Sequence, residues 1–83
     1  MNDFYNIDFA SDVIRGRHNF GERKLIENLT LDQVKCFVKE YNDSFGKPHN
    51  VAGMLIWSSL SDSYSLSIYK NNLPFVLDCK DVL

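Results

Sequence analysis

Two histidines, His18 and His49, are the residues that could carry acid–base chemistry. A pair of imidazoles can act as base and acid in phosphodiester cleavage when a cation binds the phosphate, and Arg15 and Arg17 precede His18. Both histidines lie in stretches typical of loops, however, and no motif brings them together. A small nuclease or hydrolase is therefore the third hypothesis for this chain, behind two kinds of binding protein.

The two cysteines, Cys36 and Cys79, could supply a nucleophile or a disulfide. Their separation matches neither a metal site nor a redox motif. The first residues lack the basic and apolar regions of a secretory signal, so we expect a cytoplasmic protein with both thiols reduced, a disulfide being the alternative. Cys36 falls beside the apolar stripe of a predicted helix and Cys79 alternates with apolar residues, so we expect both to pack in or near the core.

Other patterns that would indicate an enzyme are missing from the sequence. Gly16 and Gly21 lack the Lys-Ser/Thr ending of a phosphate-binding loop, and the serines between Ser58 and Ser67 lack the elbow pattern of a nucleophile. No spacing of His, Cys, Asp or Glu matches a zinc or calcium site. We therefore expect a protein that is not an enzyme, with no catalytic residue, no metal and no cofactor.

The strongest local signal is a basic cluster near the first histidine. Four of the nine basic residues fall within ten positions: Arg15, Arg17, Arg23 and Lys24. The glycines and polar residues from Arg15 to Gly21 predict an exposed loop, in which arginine forks could bind phosphates or carboxylates. The chain as a whole has a net charge of −2, which disfavours a general nucleic-acid binder or a membrane partner.

A helix with signals at both ends is the element that must position these groups. Thr30 and Gln33 have the spacing of a capping box, and Gly46 followed by Pro48 is typical of a helix end. Between these signals, apolar residues recur at steps of three and four and form one stripe: Leu31, Val34, Phe37, Val38, Tyr41 and Phe45. The pattern predicts an amphipathic helix with one buried face.

Alternating or continuous apolar runs predict the strands around this helix. The predicted strands are Phe4–Phe9, Glu22–Asn28, Val51–Trp57, Tyr64–Tyr69 and Leu73–Cys79. Val51–Trp57 is apolar on both faces and is therefore predicted to be the middle strand. We expect a single domain over residues 1–83 with a two-layer α+β fold, in which an antiparallel sheet of four or five strands carries the amphipathic helix on one face, in the order β-β-α-β-β-β.

This fold leaves more apolar surface than one helix can cover, which favours a protein interface, the alternative being that the N-terminal segment of the chain folds across it. If Trp57 faces the helix it belongs to the core, and Met54 and Ile56 become the exposed pair instead. We expect a non-enzymatic protein-binding module, such as an immunity-type or phage-encoded inhibitor, that occludes a surface of a larger protein. The alternatives are a nucleic-acid-binding regulator that uses the basic cluster and a homodimer. The predicted partner-binding residues are Arg15, Arg17, His18, Arg23, Lys24, Trp57 and Tyr69.

Overall fold

The computed structural model describes residues 2–82, except the side chains of Phe20, Cys79 and Val82. Strands and one α-helix follow each other in this part of the chain in the order β-β-α-β-β-β-β. Their bounds are β1 Tyr5–Arg15, β2 His18–Leu29, α1 Leu31–Phe45, β3 His49–Val51, β4 Met54–Ser58, β5 Asp62–Lys70 and β6 Leu73–Phe75, with a short 3-10 helix at Cys79–Val82. The predicted α+β class, an antiparallel sheet with one helix, is confirmed, but the sheet has six strands, so the predicted number of four or five is wrong.

The six-stranded sheet is organised around β5. The strand order is β2-β1-β5-β4-β3, and β6 also pairs with β5. One edge of β5 pairs with β1 along its length. Its other edge is shared, because β4 pairs with residues 63–66 and β6 with residues 68–70. The middle position therefore belongs to β5, and the prediction that Val51–Trp57 is the middle strand is wrong.

The prediction of an exposed loop from Arg15 to Gly21 is also wrong, because most of these residues belong to a β-hairpin. β1 continues to Arg15, β2 begins at His18, and only Gly16 and Arg17 form the turn. Gly16 has a φ of 62°, which a glycine adopts without steric cost. Pairing with β2 on one edge and with β5 on the other satisfies the backbone of β1 as far as Val13.

Two further predicted strands differ in extent. Val51–Trp57 is divided into β3 and β4 by a turn at Ala52 and Gly53, whose φ angles are 51° and 81°. The last strand stops at Phe75 instead of reaching Cys79. Beyond it, Leu77 turns into the core at 6% exposure, and its carbonyl accepts a hydrogen bond of 3.1 Å from Asn50 Nδ2.

The core lies between α1 and one face of the sheet. Val34 and Val38 of the helix are fully buried, and they belong to one cluster with the buried strand residues Ile7, Leu55, Trp57, Leu66 and Ile68. Trp57 also donates its indole N–H to Asn42 Oδ1 of the helix at 2.9 Å. Because side chains alternate along a strand, Met54 and Ile56 face away from the helix.

Four aromatic rings join the last turns of α1 to the sheet. Tyr41 stacks on Phe9 with ring centres 4.5 Å apart, and Phe45 stacks on Tyr64 at 3.8 Å. The two helix rings lie side by side at 6.0 Å and the two sheet rings at 6.1 Å, so each layer holds two nearly parallel rings. The β1–β2 hairpin continues past this stack, which contributes to an elongated shape of 49 × 23 × 21 Å.

Both helix ends have the caps that the sequence predicts. Thr30 Oγ1 accepts a hydrogen bond of 3.2 Å from the Gln33 amide, and Gln33 Oε1 accepts one of 2.9 Å from the Thr30 amide. At the other end Gly46 has a φ of 94° and donates its N–H to the Asn42 carbonyl at 2.8 Å. Local chemistry therefore determines where α1 begins and ends.

We expect Thr30→Ala to lower the free energy of unfolding by about 1 kcal/mol, because the Gln33 amide loses its acceptor. Thr30→Ser keeps a hydroxyl at the cap and is the matched control, which should stay close to the parent protein. Urea denaturation of the three proteins measures the difference. Equal midpoints for the alanine and serine variants would contradict a stabilising cap at Thr30.

Candidate partner-binding surface

The face of the sheet opposite α1 has no covering layer among the described residues, and we call it the open face. It consists of the side chains that alternate with the core residues along each strand. Its members are Asn6, Asp8, Ala10, Asp12, Arg23, Leu25, Met54, Ile56, Ser63, Ser65, Ser67, Tyr69 and Pro74. The β1 part of this face is polar, whereas the apolar side chains concentrate on β4, β6 and their neighbours.

A groove of about 250 Å³ opens on this face, and we call it the β4–β6 groove. It exists because β4 pairing ends at Leu66 and β6 pairing begins at Ile68, so Ser67 of β5 lies at the gap between them. The groove is lined by Met54, Ser67, Tyr69, Pro74, Val76 and the Ala52–Gly53 turn. Val76 at its rim is 62% exposed, and nearby Val51 is 49% exposed. An apolar concavity with exposed rim residues is a typical docking site for a side chain of another protein.

The structure separates the two aromatic residues that the sequence predicted at the interface. Tyr69 lines the β4–β6 groove and is half-buried. Trp57 is fully buried under α1, so its prediction as a partner-binding residue is wrong and the alternative, a core position, holds. Sequence reasoning could not choose between these faces, because the residues from Val51 to Trp57 are apolar on both sides.

Two arginines of the basic cluster are engaged by carboxylates from other strands. Arg15 Nη1 donates to Asp62 Oδ1 at 2.7 Å, and Arg23 Nε donates to Asp8 Oδ1 at 2.9 Å with a second contact through Nη2. The hydrogen bonds from these arginines hold the pKa of both carboxyls below the usual range. Two of the four basic residues of the cluster are therefore paired with carboxylates in the fold.

The other predicted site residues do not converge. Arg17 occupies the hairpin turn, and Lys24 lies opposite Phe9 on the face that carries α1. His18 is the first residue of β2 and His49 is the first residue of β3. These two strands lie at opposite ends of the strand order. The two histidines are therefore not placed to act as an acid–base pair.

The cysteines contribute no chemistry to the β4–β6 groove. Cys36 is a free thiol on α1, and its side chain is exposed, so the expectation that it packs in or near the core is wrong. It lies off the buried stripe of Val34 and Val38, on the polar side of the helix. The side chain of Cys79 lies outside the described residues.

No protein-family model matches the chain, and comparisons with curated proteins and with solved structures give no match either. In the described part of the chain, no helix is long and apolar enough to cross a membrane. Within residues 2–82 as described, His, Cys, Asp and Glu form no group of three or more that could hold a metal ion.

We expect the Asp8–Arg23 pair to make stability depend on pH. The pKa of Asp8 is lowered in the folded state, so the pair stabilises the fold above the unfolded pKa, about 3.9, and this stabilisation is lost as pH falls through the folded pKa. Asp8→Asn should therefore lower the melting temperature at neutral pH, and its difference from the parent should shrink in acid.

Thermal unfolding at neutral pH and at a pH of about 3 tests this expectation. Asp43→Asn, an exposed position of α1, is the matched control and should change the melting temperature little at either pH. A difference between Asp8→Asn and the parent that stays constant across this range would contradict a stabilising ion pair.

Proposed function

We propose that this chain is a non-enzymatic protein-binding module that acts as an inhibitor or antagonist by occluding a surface of a larger protein. The observation that carries the proposal is the open face with its β4–β6 groove. This surface combines an apolar concavity, an aromatic side chain and a polar surround of serine and aspartate residues. Protein interfaces have this composition, with apolar anchors at the centre and polar groups around them.

The rigidity of the sheet supports the proposal. β5 is paired on both edges around the groove, so Tyr69 and Ser67 stand on a backbone that is already ordered. Binding to a preorganised surface loses less conformational entropy than binding that must first order a loop. The long axis of 49 Å and the next axis of 23 Å also provide a broad surface, enough for the roughly 800 Å² per partner of a standard interface.

The nucleic-acid alternative has weaker support than the sequence suggests. Arg15 and Arg23 already bind Asp62 and Asp8, and a phosphate would have to compete with these carboxylates. Tyr69, an aromatic side chain on which a base could stack, lies on the open face opposite Asn6. The partner proposed for this chain is accordingly a protein. The chain itself is proposed to be an inhibitor of the immunity type or one encoded by a phage.

A charge placed in the groove should abolish binding to the partner without unfolding the domain. Val76→Asp puts a carboxylate at the groove rim, whereas Leu60→Asp makes the same kind of change at a fully exposed position in the β4–β5 connection. We expect a protein captured from the native cell by the parent to be captured equally by Leu60→Asp and at least about tenfold less by Val76→Asp.

The captured protein is then assayed for its own activity, which the parent and Leu60→Asp should inhibit and Val76→Asp should not. Circular dichroism of both variants confirms that they are folded. Equal capture by the two variants would place the binding surface elsewhere, and capture without any effect on activity would argue against an inhibitor.

The salt dependence of the complex separates a protein partner from a nucleic acid. A complex with several phosphate contacts loses roughly 10³–10⁵ in affinity between about 50 and 200 mM salt. Because the groove is mainly apolar, we expect a change of less than about tenfold over the same range. Titration calorimetry or surface plasmon resonance at several salt concentrations measures it, and a steep loss would favour the nucleic-acid alternative.

A further inference from the structure

The outer edge of β2 is a long strand edge with which none of the described strands pairs. β2 spans His18–Leu29 and ends the strand path of the sheet. A two-residue turn makes Arg15 and His18 the first hydrogen-bonded pair of the hairpin. Beyond this pair, non-hydrogen-bonded and hydrogen-bonded pairs alternate along the two strands. Ile14 and Asn19 form the next pair, and the Ile14 amide donates to the Ser61 carbonyl at 3.0 Å, so it points away from β2.

This alternation determines which groups of β2 face outward. Asn19 lies opposite Ile14, and Gly21, Arg23 and Leu25 follow at steps of two. Their N–H and C=O groups point away from β1, and residues 21–25 are all exposed. An edge of this kind is a template for another strand.

Gly21 is not explained by the fold of its own chain. Its φ is not in the left-handed region, and a Cβ added there would meet only the Ser11 carbonyl oxygen, at an ordinary contact distance of 3.6 Å. A glycine inside a strand also weakens it, because the residue loses more conformational freedom on folding. The missing side chain therefore points to space that a neighbour outside this chain would use.

We infer that β2 pairs with β2 of a second copy of this chain, antiparallel, about a two-fold axis that passes through Arg23. In this register Glu22 of each copy lies opposite Lys24 of the other, on the face that carries α1. Gly21 of each copy lies opposite Leu25 of the other, on the open face. Leu25 is 59% exposed in the single chain, and the space above Gly21 would receive it.

The neighbouring registers lack this complementarity. An axis at Glu22 or at Lys24 places like charges directly opposite each other, which destabilises a strand pair. An axis at Gly21 places Lys24 opposite His18. An axis at Leu25 moves the pairing onto the bulge of β2, where the register shifts and Asn28 has a φ of 59°.

The arginine at the two-fold axis does not oppose this pairing. Each Arg23 guanidinium is bound by Asp8 of its own chain through two nitrogen atoms, so the two side chains meet as neutralised pairs. The charged residues along β2 disfavour pairing with arbitrary strands, and they select one register with a second copy. The β4–β6 groove lies on the opposite side of β5 from β1 and β2, so a dimer carries two such grooves, independently of what binds there.

Charge-reversal variants test the register directly. Glu22→Lys alone and Lys24→Glu alone each place like charges opposite one another in a homodimer, and we expect each to weaken self-association at least tenfold. In an equal mixture of the two variants, every cross-strand pair at these positions again joins opposite charges, so dimers should return. Sedimentation velocity over a concentration series measures all of these states.

Two further variants control for effects on the fold. Lys39→Glu reverses a charge on the exposed side of α1 and should dimerise like the parent. Gly21→Val fills the space proposed for Leu25 and should weaken dimerisation while its melting temperature, measured below the dimerisation range, stays close to that of the parent. A parent that sediments only as a monomer, single variants that dimerise normally, or a mixture that does not recover would each overturn the inference.

Discussion

The attachment of Trp57 to α1 is the contact on which the rest of the structure depends. The indole is fully buried, packs edge-on against Tyr41 at 5.7 Å and donates its N–H to Asn42 of the same helix. Removing roughly 150–250 Å² of tryptophan surface from water is worth about 4–6 kcal/mol as an upper value. This contact orients β4, because alternation then places Leu55 in the core and Met54 and Ile56 on the open face.

The second constraint is the size of the chain. The one α-helix of residues 2–82, α1, ends at Phe45, where the stack of four rings closes the core, and the β1–β2 hairpin extends beyond it. The cross-strand ion pair of Arg15 with Asp62 lies in this extension, where α1 no longer covers the sheet. The surfaces that remain uncovered, the open face and the edge of β2, are therefore consequences of one helix on a longer sheet.

The parts of the fold that local chemistry determines could be predicted from the sequence. The N-terminal cap of α1 depends on Thr30 and the nearby Gln33, and the C-terminal cap depends on Gly46 directly after the last helical residue. Alternation identified β5 almost to its ends. The hairpin was missed because Gly16 and Gly21 look alike in the sequence, although only Gly16 needs a left-handed φ.

Most features of the candidate site could not be predicted, because they arise from contacts between residues that are far apart in the sequence. Asp62 lies 47 positions from Arg15 and Asp8 lies 15 from Arg23, so the pairing of these two arginines with carboxylates had no local signal. Tyr69 was selected from the sequence because it breaks the polar side of the alternation in β5, whereas the groove beside it arises from two strands sharing one edge. The turn at Ala52–Gly53 that separates β3 from β4 includes an alanine with a φ of 51°, which residue type does not indicate.

The accessibility of Trp57 tests the central claim, that α1 covers this side of β4 and leaves the other side open. Trp57 is the single tryptophan of the chain, so its fluorescence reports on one position. The structure predicts a blue-shifted emission that iodide does not quench in the folded protein and quenches fully in denaturant. Strong quenching in native buffer would contradict the account, because it would place Trp57 on the surface and move Met54 and Ile56 into the core.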